Sequence, residues 1–345
     1  MEHSAEAAIT MTEAAYDLHV ADKDWFPHVM KAAVALIDHG LGVAGLVGTM
    51  PRDPSETQVV EELHVATGPA DFPIRLMRAM AELPPESIRT QVHSGIGILS
   101  EVNAEEPRFM EAWRRHIDYA KDGIGVTGMD PNGRGVHIIA PVPETKTLSR
   151  AERDRWQMLA AHLSSGLRLR TAVAGARGAS HAADGLPCGA DAVLDAGNFG
   201  VTEAVNDARL PDSLRELRHA AIRIDRARGR LRRDDPHKAL RIWWALLRGR
   251  WSMVEWFDTD QRRYILAVPN APRVLDPRGL TKRESQVVAY AALGDSHKLI
   301  GYRLGISRSR VSSALSSAMR KLDVKSQAQL VDKLHMLASE GDTET

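Results

Sequence analysis

The chain has 345 residues, of which 43% are hydrophobic and 26% are charged, and its formal net charge is zero. These values are typical of a folded protein of two or three domains, and they exclude a disordered or fibrous chain. The single cysteine, Cys188, excludes an internal disulfide and a cysteine-built zinc site, and no segment has the pattern of a secretory signal or a membrane span, so we expect a cytoplasmic protein with no membrane partner.

The first half of the chain alternates between helical and strand patterns. The sequence Asp130-Pro131-Asn132-Gly133 is typical of a hairpin turn, and Ser149 with Glu152 forms a capping box that begins a long helix. In chain order, the predicted elements are a helix at 24–36, strands at 43–49 and 58–65, helices at 74–80 and 109–117, strands at 124–129 and 136–142, and the long exit helix from 149.

This order of a helix, a strand pair, helices, a hairpin and an exit helix resembles a GAF sensor domain over residues 15–170. The resemblance implies an α+β fold that can enclose a small molecule between its sheet and its helices. A core filled by side chains is equally consistent with the sequence. The expected partner of this GAF-like domain is therefore a small-molecule ligand or another protein.

Residues 171–189 are rich in alanine and glycine and predict a linker. The segment that follows, 190–270, is similar to a reduced PAS domain, and residues 271–279 predict a second, proline-containing linker. The elements predicted in the PAS-like segment are a strand pair around Asp195-Ala196-Gly197, helices at 212–228 and 237–247, and a hairpin of strands at 251–257 and 263–268.

Residues 280–345 carry the signals of a helix-turn-helix unit. Thr281 lies three residues before Glu284, which is the spacing of a capping box, and Gly294 follows the first helix as a left-handed cap. A second helix begins after Ser296, and Gly305-Ile306-Ser307 supplies the tight turn that precedes the third helix.

The third predicted helix, over 308–322, has one apolar face and one face of small polar and cationic side chains. A helix that enters the major groove needs this division, because bulky outer side chains would hold its axis away from the base edges. Serine hydroxyls discriminate weakly between bases, so we expect modest direct readout. The candidate DNA-contacting residues are Lys298, Arg308, Ser309, Arg310, Ser312, Ser313, Ser316, Arg320 and Lys321.

The formal charge is unevenly distributed along the chain. Residues 273–335 hold 12 Lys and Arg against 5 Asp and Glu, a net charge of +7, so the rest of the chain is mildly acidic. Charge alone does not identify the DNA-binding part, because residues 212–250 have the same 12 basic and 5 acidic side chains. We interpret that second stretch as a solvated helix face rather than a nucleic-acid contact.

The sequences Leu280-Thr281-Lys282-Arg283-Glu284, Leu304-Gly305-Ile306-Ser307, Arg310-Val311 and Lys321-Leu322 together resemble the LuxR/FixJ type of four-helix DNA-binding domain, over about a fifth of the chain. The resemblance implies base contacts at Ser312, Ser313 and Ser316, and backbone contacts near Lys298, Arg310 and Lys321. It also implies dimerisation on a fourth helix from Ser326 to Ala338, for which the predicted residues are Leu330, Val331, Leu334 and Leu337.

No catalytic constellation is found in the sequence. The phosphate-binding loop, the dinucleotide-binding glycine motif, the nucleophile elbow and the zinc-protease motif are all absent, and so is the aspartate and lysine layout of a receiver domain. The histidines His93, His116, His137 and His162 are dispersed and are expected to be packed or solvated. We therefore expect neither an enzyme nor a cofactor nor a metal site.

The sequence predicts a multidomain transcription regulator, with α+β GAF-like and PAS-like sensory domains and an all-α helix-turn-helix domain. Its expected partners are double-stranded DNA, a second copy of the chain, which would allow two half-sites to be read about one helical turn apart, and RNA polymerase. Signal binding is expected to release or reposition the output domain. Two alternatives are a sigma-factor-like initiation subunit and an adaptor with weak DNA binding.

Overall fold

The computed structural model describes residues 2–50, 58–83, 88, 96–102, 104, 107–130, 133–178, 186–247, 251–258, 260–269, 280–322 and 324–330. The first region is a five-stranded antiparallel sheet with helices on both faces. Its elements are α1 (Glu2–Ala15), α2 (Asp22–Ile37), β1 (Val43–Thr49), β2 (Val59–Thr67), α3 (Phe72–Ala81), β3 (Ile96–Ile98), α4 (Leu99–Val102), α5 (Pro107–His116), β4 (Asp122–Met129), β5 (Arg134–Val142) and α6 (Arg150–Gly178).

Every helix and strand that the sequence predicts in this region is confirmed, whereas α1, β3 and α4 are not predicted. Helix α1 is alanine-rich, and Ala8, Ile9 and Met11 on it are almost completely buried. Alanine contributes little contrast between an apolar and a polar face, so the helical periodicity of α1 is weak in the sequence. The first residues of the chain are therefore part of the core.

The strands of the first sheet lie in the order β2-β1-β5-β4-β3. The predicted hairpin between β4 and β5 is confirmed: Met129 pairs with Gly135, and the Asp130 amide donates to the Arg134 carbonyl at 2.9 Å. Gly133 has a φ of +85°, a backbone conformation that favours glycine. Pro131 and Asn132 lie outside the described residues.

The two faces of the first sheet are covered by different helices. One face packs on α2 and α6, with Phe26 and Leu163 among its buried contacts. The opposite face packs on α3 and α5 through residues such as Leu76 and Trp113. The sheet therefore separates a large central core from a smaller outer one.

The second region is a four-stranded antiparallel sheet in the order β7-β6-β9-β8. Its predicted strands and helices are confirmed, and a short additional helix follows the first long one. The elements are β6 (Ala192–Asp195), β7 (Val201–Ala204), α7 (Pro211–Arg228), α8 (Arg230–Asp234), α9 (Pro236–Leu247), β8 (Trp251–Phe257) and β9 (Arg263–Pro269), with 3-10 turns at Pro187–Gly189 and Asn206–Arg209.

The two sheet regions share one continuous core. Tyr16, the residue that follows α1, stacks on Trp243 of α9, with ring centroids 6.1 Å apart, and its hydroxyl lies 3.1 Å from Nδ1 of His162 in α6. The segment predicted as a linker from Thr171 is helical up to Gly178. The two sheet regions are therefore packed together rather than joined only through a chain connection.

The packing of α6 on β4 depends on Gly128, and a substitution there tests it. A Cβ atom at Gly128 would collide with the carbonyl oxygen of Ala160 and lie 2.9 Å from the amide nitrogen of Ser164, and neither backbone group can rotate away. We expect Gly128→Ala to lower the free energy of unfolding by about 1–3 kcal/mol or more, measured by urea titration. Gly197→Ala, at an exposed turn, is the control and should change it by less than about 1 kcal/mol; equal effects would contradict the packing argument.

Candidate nucleic-acid interface

The C-terminal domain begins with the predicted capping box. The Thr281 hydroxyl oxygen accepts from the Glu284 amide at 3.2 Å, and the Glu284 carboxylate accepts from the Thr281 amide at 2.7 Å. Helix α10 (Lys282–Ala292) therefore starts where the sequence predicts. Gly294, with a φ of +81°, follows its C-terminus.

The helix-turn-helix is formed by α11 (His297–Leu304) and α12 (Arg308–Lys321). The Ser296 and Ser307 hydroxyl oxygens cap these two helices by accepting from the Leu299 and Arg310 amides, each at 3.3 Å. Gly305 ends α11 in the left-handed region with a φ of +64°. Each of the three predicted turn and cap signals is confirmed.

One face of α12 packs in the core of the domain, and the other lies in solvent. Val311, Leu315 and Ala318 are buried against α10 and α11. The outward positions are exposed in the full chain, and they include most of the predicted contact residues: Arg308, Ser309, Arg310, Ser312, Ser313, Ser316 and Arg320. The structure thus brings these side chains together on one uncovered surface, which we call the reading face.

Two predicted phosphate anchors have partners within the domain. Lys321 donates to the Glu284 carboxylate at 2.7 Å, and the Lys298 ammonium lies 5.7 Å from the centroid of the Tyr302 ring. Lys298 is half-buried, whereas Lys321 remains exposed. Lys321 therefore stabilises the capping box that positions α10, a role that its place in the sequence does not indicate.

The predicted dimerisation residues fall in two groups. Leu330 is fully buried in the core of its own domain, so its side chain does not lie on a surface that a second subunit could contact. Val331, Leu334 and Leu337 lie outside the described residues. The part of the fourth-helix stripe that the structure describes therefore completes the bundle.

Comparison with protein-family models gives one match, over residues 278–334, to GerE, the luxR family of bacterial regulatory proteins. This segment is a LuxR-family helix-turn-helix domain. No curated protein sequence matches the chain. A solved structure of SdiA in complex with octanoyl-rac-glycerol aligns with this chain at 12% sequence identity and a TM-score of 0.27. The alignment covers 94% of this chain and 92% of the SdiA chain. A likeness of that degree shows neither a shared fold nor a shared ligand.

The LuxR-family domain is docked on the first sheet region through apolar contacts on the side away from the reading face. Leu299 and Tyr302 of α11 pack against Met158 and Ala161 of α6. Leu293, at the end of α10, packs against a second apolar cluster at the β4 end of the sheet.

A buried polar network lies beside these apolar contacts. The Arg303 guanidinium, 4% exposed, donates to the Met129 carbonyl at 2.6 Å and lies 3.2 Å from the carboxylate of Asp295. Arg168 of α6 donates to the Tyr290 hydroxyl at 2.7 Å and to Asp130 at 2.8 Å. This network joins the LuxR-family domain to both α6 and the hairpin turn, and no local pattern in the sequence indicates it.

Among the residues that the structure describes, no group of histidine, cysteine and acidic side chains has the arrangement of a metal site. Nor is any helix within these residues long and apolar enough to cross a membrane.

Glu284 predicts how the LuxR-family domain responds to acid. Burial opposes ionisation of this carboxyl, but hydrogen bonds from Lys321, Ser317 and Thr281 outweigh it and lower the pKa of Glu284 to about 2. A folded-state pKa below the unfolded value of about 4.3 means that the stabilisation is complete above pH 4.3 and is lost as the pH falls towards 2. We expect Glu284→Gln to lower the free energy of unfolding at pH 7 by about 1–2 kcal/mol and to flatten its acid dependence.

The measurement is urea unfolding followed by circular dichroism at pH 7 and at several acidic pH values. The control is Glu216→Gln on α7, an exposed carboxylate that makes no ion pair with any described residue. A Glu284→Gln variant with the same acid dependence as the unmodified chain would show that the capping carboxylate is not the group that titrates.

Proposed function

We propose that this chain is a transcription regulator whose LuxR-family domain binds double-stranded DNA through the reading face. The observation that carries the proposal is the exposure of that face in the full chain, with Arg308 and Arg310 in the first turn of α12 and serines along the rest of it. Small side chains let a helix axis approach the base edges, and the arginines can reach phosphates or guanines. A docked sensory region leaves this surface open.

Two copies of the domain would read two half-sites about one helical turn apart, because a single α12 contacts too few base pairs for specific binding. Dimerisation is part of the proposal. Its residues would lie on the surface of the domain rather than at Leu330, which is buried.

Arg310 provides the test of DNA binding. Its side chain is exposed and forms no ion pair among the described residues, so Arg310→Ala should leave the fold intact. We expect affinity for duplexes selected from a random pool to fall about tenfold, and the salt dependence of log K to lose about one unit of slope. Arg218→Ala on α7 is the matched control, since it removes an exposed arginine outside the domain. Unchanged affinity in Arg310→Ala, or no duplex bound at low salt by the unmodified chain, would contradict the proposal.

We further propose that residues 15–170 form a GAF-like sensor and that residues 190–270 form a PAS-like domain packed against it. The element order supports the first assignment. A small-molecule site in the sensor is supported by a cavity of about 30 Å³ between the first sheet and helices α3 and α5. It is lined by apolar side chains such as Leu46, Leu76 and Phe109, together with Gln58, Trp113 and His137.

Two of the residues that line the cavity each have a buried polar atom without a hydrogen-bond partner among the described residues. The Gln58 carboxamide oxygen and the Trp113 indole nitrogen are buried and have no hydrogen-bond partner among the described residues. Leaving a buried donor or acceptor unpaired costs about 1–3 kcal/mol, so a ligand that supplies both partners would recover that free energy. The ligand class that fits is an apolar molecule with one polar end that both donates and accepts hydrogen bonds.

Native mass spectrometry of the purified chain tests for such a ligand. We expect a retained small molecule that is lost in the cavity-filling variant Ala79→Leu and kept in Ala81→Leu, whose side chain lies on the exposed side of α3. If a mixed extract of small molecules leaves no ligand on the unmodified chain, the sensor is a filled domain that responds to a protein.

A further inference from the structure

We infer that the sensor cavity is mechanically coupled to the LuxR-family domain through one apolar cluster that both of them contact. The cluster consists of Met50, Ile88 and Met129, with Leu83 and Leu293 packed against it. Leu83 and Ile88 also line the cavity, and Leu293 belongs to the DNA-binding domain. The inference rests on the proposed sensor function and assigns the route by which cavity occupancy reaches the output domain.

The cavity is too small for a ligand of the proposed class as it stands. Its volume is about 30 Å³, whereas pockets for small organic ligands have about 300 Å³ or more. A ligand of the proposed class can enter only if one wall of the cavity is displaced.

The wall of the cavity that β1 forms is supported by α2 on the opposite face of the sheet. A Cβ atom at Gly45 of β1 would lie 2.6 Å from the sulfur of Met30, which shows how closely α2 supports the far side of the strand. β1 is also hydrogen-bonded to β2 and β5 on its two edges. Displacing this wall would disrupt the central core.

The wall that α3 forms is partly exposed to solvent on its outer side. Leu76 and Ala79 face the cavity, whereas Ile74 and Met77, on the outer side of the same helix, are 57% and 38% exposed. A ligand would therefore displace α3 and the Leu83 and Ile88 side chains beyond it, rather than the sheet.

Displacement of Leu83 and Ile88 acts directly on the docking contacts of the output domain. Leu293 packs on the same cluster, and it lies two residues before Asp295, the ion-pair partner of Arg303. Arg303 in turn donates to the carbonyl of Met129, which is itself a member of the cluster. Apolar and polar docking contacts thus converge on Met129, so a shift of the cluster alters both.

Hydrogen exchange of the full chain tests this coupling without a ligand or DNA. Ala79→Leu fills the cavity and pushes on the α3 wall from inside. We expect amides of α11 to exchange about fivefold faster or more, with α7 unchanged as an internal reference. Ala81→Leu adds the same side chain on the exposed face of α3 and should leave α11 unchanged. A folded Ala79→Leu variant with unmodified exchange in α11 would overturn the inference.

A second exchange experiment perturbs the DNA-binding domain and measures α3, so it does not depend on whether Ala79→Leu folds. Coupling between two sites is symmetric, so Leu293→Ala should accelerate exchange in α3 by a similar factor. The control is Met319→Ala, which truncates a half-buried side chain that packs against the core of the DNA-binding domain. Met319→Ala should accelerate amide exchange in α10 to α12 and leave exchange in α3 unchanged. Unchanged exchange in α3 of the Leu293→Ala variant would overturn the inference.

Failure of these exchange measurements and failure of the proposed function give different results. Loss of coupling would leave the salt-dependent binding of DNA unaffected. Absence of DNA binding would leave the exchange response in place.

Discussion

The docked arrangement of this protein depends on a buried cation, Arg303. A guanidinium that is removed from water is costly unless its donors are satisfied and its charge is paired. Within its own domain, Arg303 has the Asp295 carboxylate at 3.2 Å and the face of Tyr290 at 5.0 Å. The first sheet region supplies the Met129 carbonyl, which accepts from Arg303. Undocking of the LuxR-family domain would leave that donor of Arg303 to be satisfied by water.

Helix α6 contacts both sheet regions and the LuxR-family domain. His162 of α6 contacts Tyr16, the residue that follows α1, and Tyr16 stacks on Trp243 of the second region. Two turns further on, Arg168 pairs with Asp130 and donates to the hydroxyl of Tyr290. A single helix therefore contacts the first sheet, the second region and the LuxR-family domain, so a tilt of α6 would displace its contacts with all three.

Local signals in the sequence predict most of the elements and the reading face, but they miss α1, β3, α4 and α8. The capping box at Thr281, the left-handed Gly305 and the exposed serines follow from spacing and backbone chemistry that act over a few residues. The docking network could not be predicted in this way, because Arg168 and Tyr290 are 122 positions apart and Arg303 and Met129 are 174 apart. Lys321 shows a second limit: one positive charge can serve a phosphate or a capping carboxylate, and only the three-dimensional structure shows that it contacts Glu284.

The exposure of the reading face restricts what kind of control is physically available. A sensor that acted by covering α12 would bury its arginines and serines in this docked arrangement, and they lie in solvent instead. The contacts are made by the opposite side of the domain, through Leu293, Leu299 and Arg303. Docking therefore fixes where the reading face points rather than whether it is accessible. In the proposed dimer, two reading faces would have to fit half-sites one helical turn apart, so the orientation of each domain would separate a binding geometry from a non-binding one.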